Sequence, residues 1–402
     1  MSTLKTVPTL RPEDPSAPCV GEGTRPPART PAGRRRSGLS IVVLGALGAL
    51  GCAEEAGSVG AGAGTAGTGR AVSRLVEESH AVAGLAPSRW AAQLAAATAQ
   101  LPKVRPRRLY HSVDGSRSFG EPELAGLPKA DRARYLAETV DEEGYYYGPL
   151  GSPLFYMRLL DIVSENLRAN LPGRRLLEWN YSSIGPLKLL ALQGVQAVGV
   201  SPVPRLHALY GFPGDQGPVQ VKDREVEGRV TLLTGFFPAD ATARAAVGGD
   251  YDVIFARNLL TRGYVHPSAP DTTVPGPEDP PRPRPAPLFN LGVSDEEFLR
   301  LMLAALKPGG RLLIYNLCPP PPAADRPYDP HSDCRNPFPQ GLWQAMGFRV
   351  RDYDRNDTPA ARALSKALAP TPLTTPPAIP GAPTIQLDPA DLYATYTLVE
   401  RP

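Results

Sequence analysis

Cysteine, methionine, tryptophan and histidine are scarce, with four, four, three and five residues in a chain of 402. Four cysteines are too few for a disulfide-built scaffold, so stability has to come from a hydrophobic core. Net charge is also missing: 43 basic residues face 40 acidic ones, and a balance of +3 on this length does not mark a nucleic-acid partner. Metal ligands are sparse as well. Asp329, His331, Asp333 and Cys334 lie close in sequence, but their spacing matches no standard zinc pattern. Ser182 and Ser183 lack the G-x-S-x-G surroundings of a hydrolase nucleophile. Proline is abundant instead. The 48 prolines exceed twice the usual share and cluster at 8–32, 267–287, 319–339 and 370–390, which reads as linkers and insertions rather than core.

The first 70 residues carry no globular pattern. Arg34, Arg35 and Arg36 form a positive patch ahead of the apolar run Gly38 to Leu50, which has the length of a signal-peptide core and is too short to span a bilayer comfortably. The run ends at Ala49-Leu50-Gly51-Cys52, which resembles the bacterial lipobox and makes Cys52 a lipidation candidate. Behind it lies a Gly/Ala tether over 53–70 with almost nothing to bury. This order points to a lipid-anchored protein of the bacterial cell envelope. The alternative is a cytoplasmic chain whose glycines 45, 48 and 51 belong to a short apolar element. Cys318 and Cys334 then remain, either as a disulfide closing a loop of about 15 residues or as two thiols.

Residues 71–170 read as a helical lead-in. It starts with two helices, the second capped by Ser88, and continues over 107–170 as a mixed but mostly helical stretch. From Arg174 onward strands alternate with helices. Leu176-Leu177 begin a first strand that ends at Glu178, and Leu187 to Leu192 form a crossover helix. Ala197 to Val200, Arg229 to Thr234, Asp252 to Ala256 and Leu312 to Tyr315 form further strands. Ser294 to Leu306 form a helix with a capped start, and Gly341 to Met346 a short one. Phe348 to Tyr353 and Tyr393 to Val399 read as an antiparallel pair. The pattern implies an α/β domain over 171–402, with a mostly parallel sheet and a C-terminal antiparallel hairpin, interrupted by proline-rich insertions at 267–287 and 319–339.

Several of these residues carry a family likeness. LKPGGRLLIYN (Leu306 to Asn316) places Pro308 at a helix stop and Gly309-Gly310 in the tight turn before a strand. DVIFARN precedes it at the expected distance, and Gly347-Phe348 precedes the closing hairpin. In this order the motifs resemble the class I S-adenosylmethionine-dependent methyltransferases, over roughly 150–402. The resemblance implies a Rossmann-like methyltransferase fold with S-adenosylmethionine bound at the first loop. Glu178 stands for the acid before the glycine loop. Asn180, Ser182 and Ile184 stand where that loop has glycines, with Gly185 one place later, and Ser201 stands where an acid would accept the ribose hydroxyls. Ile184 is β-branched and resists positive φ. These departures predict weakened or abolished cofactor affinity.

Two functions follow. The first is a methyltransferase acting on an unspecified small-molecule or protein acceptor. It would hold the cofactor at Glu178, Asn180, Ser182, Gly185 and Ser201, contact the substrate through Asn258, and use His266 to accept a proton from a hydroxyl nucleophile; strand-end capping is an equal role for Asn258. The second is a non-catalytic methyltransferase-fold lipoprotein held at the membrane through Cys52, acting as a binding or structural module. Tyr145, Tyr146 and Tyr147 precede the sheet where a lead-in packs or lids the site.

Overall fold

The computed structural model describes residues 69–148, 151–167, 170–221, 226–263, 265–267, 289–322, 329–368, 373–375 and 385–402. The lead-in begins with helices α1 (Arg70–Val82) and α2 (Arg89–Ala96), the latter capped by Ser88, whose hydroxyl accepts from Ala91 N–H at 3.2 Å. Strands β1 (Arg107–His111), β2 (Ser118–Gly120) and β3 (Leu136–Val140) then form an antiparallel sheet of order β2-β1-β3. Two short helices, α3 (Glu121–Ala125) and α4 (Lys129–Arg132), sit between β2 and β3. The stretch 107–170 thus mixes helices with a small sheet that the sequence reading does not place. These strands are short and half-exposed, so they carry little apolar alternation for a sequence reading to find. Helices α5 (Glu142–Tyr146) and α6 (Tyr156–Ser164) complete the lead-in.

The main sheet is built from β4 (Arg175–Trp179), β5 (Gln196–Ser201), β6 (Gly217–Gln220), β7 (Glu227–Thr234) and β8 (Tyr251–Arg257). Two-residue strands β9 (Val265–His266) and β10 (Phe289–Asn290) pair with each other in parallel. After them come β11 (Leu306–Cys318) and β12 (Arg349–Asn356), a small pair β13 (Leu373–Thr375) and β14 (Ile385–Leu387), and β15 (Tyr393–Glu400). The eight-stranded order is β12-β15-β11-β8-β4-β5-β7-β6. Strands β11, β8, β4, β5 and β7 run parallel, and β15 runs antiparallel between β11 and β12. This is the expected Rossmann-like methyltransferase architecture with its C-terminal antiparallel closure.

Helices α7 (Gly185–Ala191), α8 (Pro204–Tyr210), α9 (Ala241–Val247), α10 (Asp295–Ala305), α11 (Gln340–Ala345) and α12 (Thr358–Leu368) cover both faces. One core joins α1, α2, α6, α7 and α12 to one face, and a second joins α9, α10 and α11 to the other. Every residue of β8 is buried, as expected of a central parallel strand covered twice. Helix α10 starts where Ser294 accepts from Glu297 N–H at 3.1 Å, with Asp295, Glu296 and Glu297 in its first turn. It ends before Leu306-Lys307-Pro308-Gly309-Gly310. There the β8–β11 register shifts between Leu306 and Arg311, and Gly309 takes φ 74°. Asp252 fastens that turn from below. Its carboxylate accepts Arg175 N–H at 2.8 Å and Arg174 at 2.5 Å, and it pairs with Lys307. The acid at the start of β8 is therefore a clamp between strands.

Candidate crevice at the carboxyl ends of the strands

In an open α/β sheet, ligands bind outside the carboxyl ends of strands where the strand order reverses. In this chain that point lies between β4 and β8. Glu178 and Trp179 end β4, and Asn180 follows at φ 60°, the left-handed turn that a glycine normally supplies. Its N–H donates to Val200 O at 2.7 Å, and its Oδ1 accepts from the Ser201 hydroxyl at 3.2 Å. The Ser201 oxygen also accepts from Val203 N–H at 3.4 Å. The two residues aligned with cofactor contacts thus bind one another, at a position where Ser201 is 3% exposed.

Glu178 is buried and has Arg257 as its ionic partner, 3.8 Å away at the end of β8. Arg257 is itself buried. Its guanidinium lies over the Tyr156 ring at 4.8 Å and donates to Ser182 Oγ at 3.3 Å. Burial pushes the Glu178 carboxyl up to about 7, with Arg257 and the Tyr156 hydroxyl pulling the other way. Burial and the nearby Glu178 charge raise the Tyr156 hydroxyl well above its ordinary value. The Tyr156 hydroxyl and the Glu178 carboxylate face each other, and their interaction favours the ionised Glu178 and the protonated Tyr156. Arg257 and Tyr156 are the site residues that sequence reasoning did not assign. In sequence Tyr156 falls on the apolar face of a helix over Phe155 to Leu167, and nothing local links Arg257 to Glu178.

The loop is covered by the chain itself. Gly185 opens α7 where a side chain would collide with the backbone carbonyl of Tyr146, so glycine is needed there for close approach, not for an unusual φ. At Gly148 a Cβ would lie 3.0 Å from Ser182 Oγ. The objection to Ile184 is corrected. It stands at the α7 N-cap with φ −80° and is fully buried, so no positive φ is asked of it. Tyr145 and Tyr146 pack edge to face, and their hydroxyls donate to Asp215 and to Pro102 O.

Asn258, at φ 51°, is a strand-end clamp. Its N–H donates to Tyr315 O at 3.0 Å, its Oδ1 accepts from Leu317 N–H at 2.7 Å and its Nδ2 donates to Leu317 O at 3.2 Å. Both amide groups are thus engaged on β11. His266 is carried by the backbone of β9, and its side chain lies outside the described residues, as do Cys52 and Tyr264, which sequence places beside His266 as a second substrate-side candidate. Cys318 and Cys334 form a disulfide with Cα atoms 5.9 Å apart, which resolves the open alternative. The Cys334 carbonyl is also held by Asn316 Nδ2 at 2.9 Å and Thr395 Oγ1 at 2.9 Å. Among the described residues no three His, Cys, Asp or Glu side chains converge as metal ligands, and no helix is long and apolar enough to cross a membrane.

No family model matches the chain, and no curated protein matches it. Solved structures similar to it include the [4+2]-cyclase SpnF, at 17% identity over 61% of this chain and 80% of that one, with a TM-score of 0.34. Geranyl diphosphate C-methyltransferase from Streptomyces coelicolor A3(2), solved with Mg2+, geranyl diphosphate and S-adenosyl-L-homocysteine, matches at 12% identity over 61% and 80%, with a TM-score of 0.34. TrmN from Thermus thermophilus matches at 16% over 63% and 50%, with a TM-score of 0.28. Likenesses this distant carry no argument about activity.

Proposed function

We propose that this protein uses a methyltransferase-type sheet as a binding or structural module and does not perform S-adenosylmethionine-dependent methyl transfer. The observation that carries this reading is Ser201. An acid at that position accepts two ribose hydroxyls. Here the hydroxyl is neutral, buried and already engaged with Asn180 and Val203. Losing two charge-assisted bonds of about 1.5–3 kcal/mol each removes roughly two to four decades of affinity. Two further contacts support the reading: Ser182 is tied to Arg257, and Gly148 packs on Ser182. The residues present therefore do not fit the cofactor, and no reaction step is assigned to it.

A second reading, a methyltransferase with weak cofactor affinity, is favoured by Glu178 at the end of β4 and by the left-handed Asn180. Under it Asn258 and His266 would serve the acceptor, although the Asn258 amide is engaged on Leu317. The module reading includes a lipid anchor at Cys52 and a place in the cell envelope. The Cys318–Cys334 disulfide supports an oxidising compartment, whereas S-adenosylmethionine is a cytoplasmic metabolite. The test is mass action. A ligand present at about a hundred times its Kd stabilises by roughly 2.7 kcal/mol, so millimolar S-adenosylhomocysteine should leave the melting temperature unchanged. A dose-dependent rise of several degrees would favour the enzyme instead. The anchor is checked separately: a labelled fatty acid should appear on the wild type and not on Cys52→Ala.

A further inference from the structure

The amino-terminal edge of the sheet, opposite the crevice above, carries a groove of about 530 Å³, within the small-molecule range of roughly 300–1,000 Å³. It lies between the end of α6 and strands β11, β12 and β15. Strand register builds it. Glu400 on β15 stands opposite Arg311 on β11 and opposite Arg349 on β12. Arg351, two residues along β12, reaches the same carboxylate at 2.9 Å, while Arg349 reaches it at 3.1 Å and Arg311 at 3.3 Å. One carboxylate thus gathers three guanidinium groups. Burial alone would raise the Glu400 carboxyl, but Arg351, Arg311 and Arg349 hold it below its ordinary value.

The cluster has donors left over. Arg311 is buried and spent: its Nη1 donates to the carbonyls of Val163 and Glu165 at 2.6 and 2.8 Å, and its Nε faces Glu400 at 3.3 Å. Arg349, Arg351 and Arg355 are exposed at 54%, 42% and 60% of their side chains. Arg355 pairs with Asp352 at 2.9 Å and lies over the Tyr396 ring at 6.0 Å. Asp352 and Glu165 are the other acids of the lining, so its three arginines and three carboxylates balance, and Arg349, bound to Glu400 from outside the lining, brings the fourth guanidinium. Leu398 supplies an apolar wall.

We infer that this groove binds a small oxyanion of the phosphate type, carried by a small molecule or by a lipid headgroup. Arg351 gives its Nε and Nη2 to Glu400 and Arg355 its Nη1 to Asp352, which leaves Arg351 Nη1 and the Nε and Nη2 of Arg355 for such a group. Glu400 acts as the internal anion that holds Arg311, Arg349 and Arg351 together before the ligand arrives. The inference concerns the other end of the sheet and stands whether or not the crevice takes a cofactor.

The test is calorimetric titration of the full-length protein with inorganic phosphate at low ionic strength. The expected result is saturable millimolar binding, weakened about tenfold in the Arg351→Gln/Arg355→Gln double variant and tightened about tenfold in Glu400→Gln, which frees three guanidinium groups. Arg355→Gln alone, at an exposed position, serves if the others fail to fold, and it should also weaken binding. No heat with the wild type and with a folded Glu400→Gln, or equal binding by wild type and arginine variants, would overturn the inference. Sedimentation with phosphatidylglycerol and phosphatidylcholine vesicles separates the two sources. Retention on the anionic vesicles alone, reversed by phosphate, identifies a headgroup; phosphate binding without such retention identifies a soluble ligand.

Discussion

Glu178→Gln should stabilise this protein at alkaline pH, although it removes half of an ion pair. Glu178 is buried, Arg257 sits at 3.8 Å without donating a hydrogen bond to it, and the Tyr156 hydroxyl is the other group that favours its ionised form. Burial therefore outweighs the attraction and lifts the carboxyl from 4.5 to about 7. The sign follows from linkage. The folded state binds this proton more tightly than the unfolded chain, so stability is lost as pH rises from 4.5 through about 7 and regained as it falls. At about 1.36 kcal/mol per pKa unit, the cost at pH 8 is of the order of 3 kcal/mol. Glutamine mimics the protonated acid, so the variant should be more stable than wild type by up to that amount at pH 8 and equal to it near pH 4.5. Urea unfolding at pH 5, 6, 7 and 8 reads this directly. If Glu178→Gln loses 2 kcal/mol or more at pH 8, with the slope unchanged, the pairing with Arg257 outweighs burial and the reasoning fails.

Three other perturbations follow from the same contacts. Asp357→Ala should cost about 3 kcal/mol in urea unfolding, because it strips Arg158 of bonds at 3.0 and 2.6 Å and leaves Tyr315 Oη, now bonded at 2.7 Å, unpaired inside the core. Replacing Cys318 and Cys334 together by serine should cost about 3 kcal/mol by the chain-entropy estimate for a loop of this length; an unchanged urea midpoint would show that backbone contacts alone hold the segment. Gly185→Ala should push the Tyr146 carbonyl off α7 and cost about 1–3 kcal/mol, with faster proteolysis within 141–153 as its mark.

The parallel core was readable because its strands are covered on both faces. VIFA and LLIY are unbroken apolar runs, and Pro308-Gly309-Gly310 marks the turn between α10 and β11. The lead-in sheet was not readable. RRLYH and LAETV bury one residue each and leave the rest to solvent or partial cover, so neither gives a period. At the site, Asn180 could be anticipated as a left-handed residue because asparagine tolerates that turn. The demand on Ile184 could not, since only the structure shows it beginning a helix. The partner of Glu178 comes from another strand, and the Tyr146 carbonyl that makes Gly185 necessary comes from the lead-in. Both are tertiary facts with no local trace.

If the Ser201–Asn180 hydrogen bond takes the place of a ribose contact, as proposed, the crevice between β4 and β8 should not hold S-adenosylmethionine. Calorimetric titration of the full-length protein with S-adenosylmethionine, beside Ser201→Asp, tests it most directly. Wild type should give no heat at millimolar ligand, with any binding appearing only in Ser201→Asp. Saturable micromolar binding by the wild type would contradict it.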